Sequence, residues 1–207
     1  MHDTRRALLE AALDLLEGGR SFDALSLREI TRAVGIVPAA FYRHFRDVEE
    51  LGLALVDESM TTLRRMIREA REVPDPQRII RNSVDTLVSA VRANPRHFRV
   101  ISREMHGGMP TLRERIRREI ASFTNELALD FGRLPLLNRW SAEDLQMIAG
   151  LMVTAMVQIA EAVLEVPAGD AAAQARVVRM AEKQLRLIAL GVPQWQSAPA
   201  GAKASSP

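Results

Sequence analysis

The sequence predicts an all-helical protein. Apolar side chains recur three and four residues apart along almost the whole chain, which is the spacing of one face of an α-helix. Runs of alternating β-branched residues between turn signals, which would indicate strands, are nearly absent. Glycines, prolines and capping residues separate the helical segments. We therefore expect a small N-terminal module of three helices followed by a larger helical body.

Three short-range signals predict the helices of the N-terminal module, residues 1–46. The first helix should extend from about Thr4 to Glu17, ended by Gly18-Gly19. The residues Ser26-Leu27-Arg28-Glu29 fit a capping box, so a second helix is expected from Leu27 to Val34, ended by a glycine. A third should begin at Pro38, whose missing N–H has no helical partner in a first turn, and end near His44.

The predicted body, residues 47–190, contains helices bounded in the same way. Their expected ranges are Val48 to about Glu72, Gln77 to Ala93, a short helix ending at Gly107-Gly108, Pro110 to Gly132, Ala142 to Val166 and Ala171 to Leu190. The remaining residues, 191–207, are small, polar and proline-rich, which is typical of a disordered tail.

Composition excludes several classes of site. The 207 residues contain no cysteine, which rules out disulfides, thiolate metal sites and cysteine nucleophiles. The four histidines are scattered, and the common hydrolase, metalloprotease and phosphate-loop motifs are absent. We therefore expect no enzyme, no metal site and no cofactor. The N-terminus does not resemble a signal peptide, and the longest uncharged stretch, residues 145–160, is short for a membrane span, so a cytoplasmic protein is expected.

Positive charge is concentrated in one segment although the net charge is only +2. Between Arg28 and Arg46 there are four arginines and a histidine against the single acid Glu29. Such a cluster suits a compact anionic partner, and the alternative is an ordinary solvated helix face.

The second and third predicted helices match at their inner faces. Leu27, Ile30 and Val34 share one face, Ile36 fills the turn, and Phe41 and Phe45 lie four residues apart. These features predict a helix-turn-helix whose outward residues reach DNA. The residues expected to contact DNA are Ser26, Arg28, Pro38, Ala39, Ala40, Tyr42, Arg43, His44 and Arg46.

Within that set the expected roles differ. Arg43 is the best candidate for reading guanine, and Ala40 for touching a thymine methyl group. Arg28, Tyr42, His44 and Arg46 are expected to contact phosphates. For Tyr42 a half-buried ring without a DNA role, and for His44 a plain surface histidine, remain the alternatives.

The block REITRAVGIVPAAFYRHFRDVEEL, Arg28 to Leu51, resembles the signature of the TetR family of transcriptional regulators. The segments from Gly35 to Asp47 and from Val56 to Ser59 are similar to the fatty-acid-responsive subgroup that includes FabR and DesT. The resemblance implies a nucleoid-associated homodimeric repressor that binds a palindromic operator in double-stranded DNA. It also implies an effector, a long-chain acyl-CoA or other acyl thioester, and target genes of unsaturated fatty-acid synthesis or desaturation. One departure is Val37, which stands where the family usually has a serine or threonine cap.

The helical body supplies candidates for the effector site and the dimer surface. The ligand-binding candidates are Arg99, Arg103, Met147, Leu151, Met152 and Met156. The methionines suit a flexible apolar chain and the arginines suit CoA phosphates, but core packing and a solvated charged face are the alternatives. An apolar face of the last helix predicts a dimer surface, which in the family's pattern forms a four-helix bundle with the partner, and the alternative is that these residues are core of the single chain. The residues of this face are Val177, Val178, Met180, Ala181, Leu185 and Ile188.

Two other functions stay open at this point. One is a TetR-type repressor of an efflux or catabolic operon that senses a different small hydrophobic molecule. The other is a helical adaptor that binds protein and not DNA, which substitutions at Tyr42 and Arg43 would distinguish.

Overall fold

The computed structural model describes residues 2–71 and 79–197, and the surroundings of side chains within 4–65 and 80–197. The predicted linker prolines Pro74 and Pro76, and the part of the predicted tail from residue 198, lie outside these residues. All regular structure in the described part of the chain is helical, which confirms the predicted fold class.

Nine α-helices are found in the described residues. They are α1 His2–Leu16, α2 Leu27–Val34, α3 Pro38–Phe41, α4 Val48–Arg71, α5 Ile79–Ala93, α6 Pro95–Glu104, α7 Pro110–Phe131, α8 Ala142–Glu165 and α9 Ala171–Gly191. Short 3₁₀ helices lie at Phe22–Ala24 and Val192–Gln194. The sequence did not predict these two, because three residues are too few to show a helical period.

The third helix is shorter than predicted. It ends at Phe41 and not near His44, because Tyr42 to His44 form a turn in which the N–H of His44 donates to the carbonyl of Phe41 at 2.9 Å. This bond joins residues only three apart, as in a 3₁₀ turn, so the chain tightens at the end of α3 instead of continuing as an α-helix. Val37 supplies no side-chain cap, as its apolar side chain requires.

The chain divides into two compact units, of which the first comprises residues 1–72 and 90–119. Its core contains Leu8, Leu51 and Leu112, which are completely buried. Phe22 lies against Gly52, where an added Cβ atom would come within 2.8 Å of the ring. Glycine at this point of α4 therefore makes room for the connection between α1 and α2.

Helix α6 is fastened to α1 within this unit. Arg96 forms ion pairs with two acids of α1, Glu10 and Asp14, and with Glu17 directly after it. At the other end of α6, Arg103 donates hydrogen bonds to the carbonyls of Leu16 and Arg20. The first unit thus combines the helix-turn-helix segment with a helix that lies far from it in sequence.

The second unit comprises residues 73–89 and 120–207, and its described part contains the pair α8 and α9. Ser141 caps α8 by accepting from the N–H of Asp144 at 3.1 Å. The Oγ of Ser197 donates to the Asp144 carboxylate, so residues after the last helix close against the start of α8.

Helix α8 is buried on one side only. Its residues Ile148 and Val153 are buried, whereas Met147 and Leu151 are 40% and 51% exposed. Among the described helices it alone is long and apolar enough to cross a membrane, by length and composition only, and 33% of its most apolar window is buried in the protein. The exposed apolar side of α8 is the part of this helix that the single chain leaves uncovered.

Candidate DNA-binding site

The helix-turn-helix begins with a capping box that the sequence predicted. The N–H of Glu29 donates to the Oγ of Ser26 at 3.3 Å, and the N–H of Ser26 donates to Oε2 of Glu29 at 3.0 Å. Arg20 pairs with Oε1 of Glu29 at 3.0 Å. Hydrogen bonds from Arg20 and then from Ser26 lower the pKa of Glu29 from 4.5 to about 2. These contacts fix the start of α2.

The turn between α2 and α3 depends on Gly35. Its φ is 74°, in the left-handed region that glycine adopts without strain. The N–H of Ile36 donates to the carbonyl of Thr31 at 3.0 Å, which closes the end of α2. The chain then leaves α2 in the direction that places α3 beside it.

Two aromatic rings hold the segment that follows the turn. Phe41 and Phe45 are buried, with ring centroids 5.8 Å apart. Between them Tyr42 is 58% exposed, and its ring meets that of Phe41 edge to face. The sequence predicted this division, in which the phenylalanines anchor the segment and the tyrosine faces outward.

The predicted DNA-contacting residues lie at the surface of the first unit. Exposed members are Ser26, Arg28, Pro38, Ala39, Tyr42, Arg43 and Arg46, while Ala40 and His44 are half-buried. The exposed basic residues of α2 and of the segment from Pro38 to Arg46 form a surface that can bind phosphates and base edges. These residues are Arg28, Arg32, Arg43 and Arg46. We call this surface the basic face. Its role in DNA binding stays a prediction.

Two members of this set have partners inside the protein. The hydroxyl of Ser26 donates to Oε2 of Glu29 at 2.8 Å, so it already serves the capping box. Nε of Arg46 pairs with Oε2 of Glu50 at 3.1 Å, and its backbone N–H donates to the same oxygen at 2.7 Å. The backbone bond, and then the side-chain bond, hold the pKa of Glu50 below its ordinary value. The contacts with Glu50 therefore hold the backbone and the guanidinium of the exposed Arg46 in place.

Sequence reasoning missed Arg5. Its guanidinium lies over the ring of Phe45, with 5.0 Å between the Cζ atom and the ring centroid, and its charge also lowers the pKa of Glu50. Arg5 is exposed and adds positive charge beside the basic face. Its position forty residues earlier in the chain gave no local spacing that could relate it to Phe45.

The predicted ligand-binding residues are divided between the two units. Arg99 and Arg103 belong to the first, where Arg99 is exposed and Arg103 is engaged with the end of α1. Met147, Leu151, Met152 and Met156 all lie on α8 in the second unit. The first two share the exposed side of α8, whereas Met152 and Met156 are half-buried on the opposite side. Their role in ligand binding stays a prediction.

The second unit also has an open groove that the sequence did not indicate. It encloses about 600 Å³ and is lined by Arg81, Asp170, Gln174, Val178, Arg179 and Glu182, together with small residues of the α9 start. Its lining mixes both charges and includes none of the six predicted ligand-binding residues. Across residues 2–71 and 79–197 no group of three or more histidines and acids is arranged to hold a metal ion.

Comparison with known proteins identifies the N-terminal segment. Residues 8–55, from α1 into α4, match the family model of bacterial regulatory proteins, tetR family. The match includes the capping box, the turn at Gly35 and the basic face.

Solved structures share the fold over nearly the whole chain. A transcriptional regulator from Rhodococcus sp. Rha1 is 18% identical, with a TM-score of 0.69 over 90% of this chain and 96% of that one. The regulator FadR from Bacillus subtilis, solved with stearoyl-CoA, is 13% identical, with a TM-score of 0.62 over 88% and 96% of the two chains. AibR, solved with isovaleryl coenzyme A and operator DNA, is 18% identical, with a TM-score of 0.65 over 91% and 98%.

The comparisons confirm the fold class, with an N-terminal helix-turn-helix and a larger helical C-terminal part. The family matched by residues 8–55 is one of bacterial regulatory proteins, and the Rhodococcus and Bacillus subtilis neighbours are transcriptional regulators. They do not single out the fatty-acid-responsive subgroup.

Proposed function

We propose that this chain is a homodimeric, cytoplasmic repressor that binds a palindromic operator through the basic face and responds to an acyl thioester. The observation that carries the proposal is the separation of buried from exposed side chains in the segment from Phe41 to Phe45. Its two phenylalanines are buried, and Tyr42 and Arg43 between them are exposed on a segment that enters DNA in helix-turn-helix proteins.

The contacts with DNA follow from this geometry. The exposed Pro38 and Ala39 allow the start of α3 to approach the major groove closely, and Ala40 supplies a methyl contact. Arg43 reads guanine with its forked donors. Arg28, Tyr42, His44 and Arg46 contact phosphates and set the register. Few side chains read bases, so DNA shape contributes part of the specificity.

The exposed apolar sides of α8 and α9 support the dimer. Met147 and Leu151 on α8, and Met180, Leu187 and Leu190 on α9, are exposed in the single chain although they are large and apolar. A patch of this kind on a regulator is covered by a partner, and two copies of one helix pair give a symmetric interface. The dimer then places two basic faces on two half-sites of the operator.

The proposed effector is a long-chain acyl-CoA or another acyl thioester, and the proposed targets are genes of unsaturated fatty-acid synthesis or desaturation. Support comes from the sequence of the basic face, and from two regulators of the same fold that were solved with stearoyl-CoA and isovaleryl coenzyme A. A ligand alters DNA affinity only if it binds two arrangements of the protein with different affinity.

DNA binding is tested first, with a duplex that the wild-type protein selects from a random library. Arg43→Ala combined with Tyr42→Phe should weaken binding and make its salt dependence shallower. The control is Arg133→Ala, which removes an exposed arginine paired with Asp130 in the second unit. A double variant that binds like the wild type would contradict DNA contact through the basic face.

The effector is tested with the same duplex and with saturated and unsaturated acyl-CoA of several chain lengths. A change in DNA affinity that depends on the acyl chain is the expected result. Equal affinity with every acyl-CoA would contradict acyl sensing and favour the second candidate, a repressor of an efflux or catabolic operon.

A further inference from the structure

One carboxyl group of the first unit is buried almost completely. Glu104, the last residue of α6, is 1% exposed, and its Oε1 accepts a hydrogen bond from the N–H of Phe22 at 2.8 Å. Its Oε2 is buried and has no hydrogen-bond partner among the described residues. A buried polar oxygen without a partner is costly, so its presence needs a physical reason.

Phe22 lies at a junction of several elements. It is buried at the start of the 3₁₀ helix between α1 and α2, with its ring against Gly52 of α4 and near Leu112 of α7. The connection in which it lies leads directly to the capping box of α2. Glu104 therefore reaches, across 82 residues of sequence, to the backbone that precedes the helix-turn-helix.

The neighbouring Arg103 holds the other side of the same connection. It donates to the carbonyls of Leu16 and Arg20, both at 2.8 Å. Arg20 in turn pairs with Glu29 in the capping box of α2. The C-terminal end of α6 thus contacts the α1–α2 connection at its beginning and at its middle.

Two charged side chains act on Glu104: Asp23 of the α1–α2 connection and Arg103 of α6 itself. Arg113 of α7 donates to the carbonyl of Gly107, which lies next to the Glu104 carboxyl group. Burial raises the pKa of Glu104 and Asp23 adds to the rise, while the N–H of Phe22 and the charge of Arg103 oppose it. Ionisation places charge on an oxygen that has no partner and lies near another carboxylate.

We propose that Glu104 is a positioning residue for DNA binding, whose carboxyl group holds the α1–α2 connection in the arrangement that presents α2 and α3 to DNA, and whose ionisation loosens that hold. This inference rests on the proposed function, because it assigns a positioning role behind the same basic face. Glu104 itself touches no DNA.

The direction of the pH effect follows from the raised pKa. In the unfolded chain the group titrates near its ordinary value of 4.5. The stability that the neutral form contributes is complete below that value, and it is lost as the pH rises through the folded-state pKa. The hold on the connection, and with it DNA affinity, should therefore weaken as the pH rises. The contribution of Glu104 is separated from those of other groups by comparison of variants.

The test measures DNA affinity between pH 5.5 and 8 with the duplex that the wild-type protein selects. Glu104→Gln keeps an acceptor for the N–H of Phe22 and removes the charge, so the difference in affinity from the wild type should grow as the pH rises. Glu104→Ala removes the acceptor and should weaken binding by roughly tenfold at the acidic end, because a buried N–H loses its partner, and by less as the pH rises. The matched control is Glu114→Gln, which neutralises an exposed glutamate paired with Arg118 on α7.

A second route to the same group uses Gly107. A Cβ atom at Gly107 would lie 2.5 Å from Oε2 of Glu104, so Gly107→Ala must displace the carboxyl group. It should weaken DNA binding when residue 104 is glutamate and have a much smaller effect in the Glu104→Ala background, where only the contact of 3.2 Å with the backbone of residue 104 remains. This variant keeps the proposal testable if Glu104→Ala does not fold.

The hold can also be measured without DNA, by hydrogen exchange of the Phe22 amide. Protection should fall in Glu104→Ala and in Gly107→Ala, and should be kept in Glu104→Gln at high pH. The proposal is overturned if Phe22 protection is unchanged in Glu104→Ala, or if Glu104→Gln has the pH profile of the wild type. If the wild-type protein selects no duplex, the proposed function fails, while the exchange experiment still decides whether Glu104 holds the connection.

Discussion

The helix-turn-helix and the α8–α9 pair differ in the polarity of their exposed side chains. In the first, Phe41 and Phe45 are buried, and the exposed residues between them include a tyrosine and an arginine. In the second, large apolar residues such as Leu151 and Met180 are themselves exposed. The helix-turn-helix is complete in one chain and offers polar groups to a partner of another kind. The α8–α9 pair has exposed apolar side chains, which a second copy covers in the proposed dimer.

The largest effect on operator affinity is expected from charged substitutions on the exposed apolar side of α9. Met180→Glu combined with Leu187→Glu places two charges on one face of α9, seven residues apart. We expect a monomer, and a loss of operator affinity of roughly a hundredfold, because two half-sites are then no longer bound together. Light scattering after size exclusion measures the mass, and titration of the selected duplex measures the affinity.

Leu136→Glu is the control, since Leu136 is exposed on the loop after α7 and outside the α8–α9 pair. It should leave the dimer intact. A double variant at Met180 and Leu187 that remains dimeric would place the interface elsewhere.

A smaller effect is expected at Arg5, which sharpens the limits of the basic face. Arg5→Ala removes one positive charge from each protomer. If each Arg5 neutralises one phosphate, the slope of log affinity against log salt becomes shallower by about 1.8 for the dimer. Arg5→Lys should keep most of the slope. If Arg5→Ala instead lowers the free energy of unfolding and leaves the salt slope of DNA affinity unchanged, the role of Arg5 is limited to its contact with the ring of Phe45.

The smallest effect is expected at Glu29 and concerns the stability of the helix-turn-helix. The pKa of Glu29 is lowered to about 2, so its contribution to stability is present above 4.5 and is lost as the pH falls from 4.5 through about 2. Glu29→Gln should flatten the acid side of the pH–stability curve, measured by urea unfolding. The same change at the exposed Glu165, at the end of α8, should leave the curve unaltered.

Local patterns and long-range contacts differ in how well the sequence predicts them. The capping box, the turn at Gly35 and the inward Phe41 and Phe45 are local patterns, and the structure has each of them. Contacts across long sequence separations could not be predicted, since no spacing relates Arg5 to Phe45 or Glu104 to Phe22. These pairs come together only when whole helices pack.

The same reasoning explains the ligand-binding candidates. The sequence placed Arg103 on a helix face suited to phosphates, but its donors are directed at the carbonyls of Leu16 and Arg20. The helical period gives the face on which a side chain lies and does not give its partner. On α8 the helical spacing identifies the apolar residues. It does not predict which side of the helix is covered in a single chain, because that depends on packing against α9.

The brevity of α3 has a consequence for how the protein acquires its DNA-reading surface. With four residues and no side-chain cap at Val37, α3 has almost no helical stability of its own. A synthetic peptide of residues 35–47 should be a random coil in water, because the rings of Phe41 and Phe45 then have no core to enter. We therefore expect this segment to become ordered only after its rings pack against the rest of the first unit, so that the basic face forms late in folding.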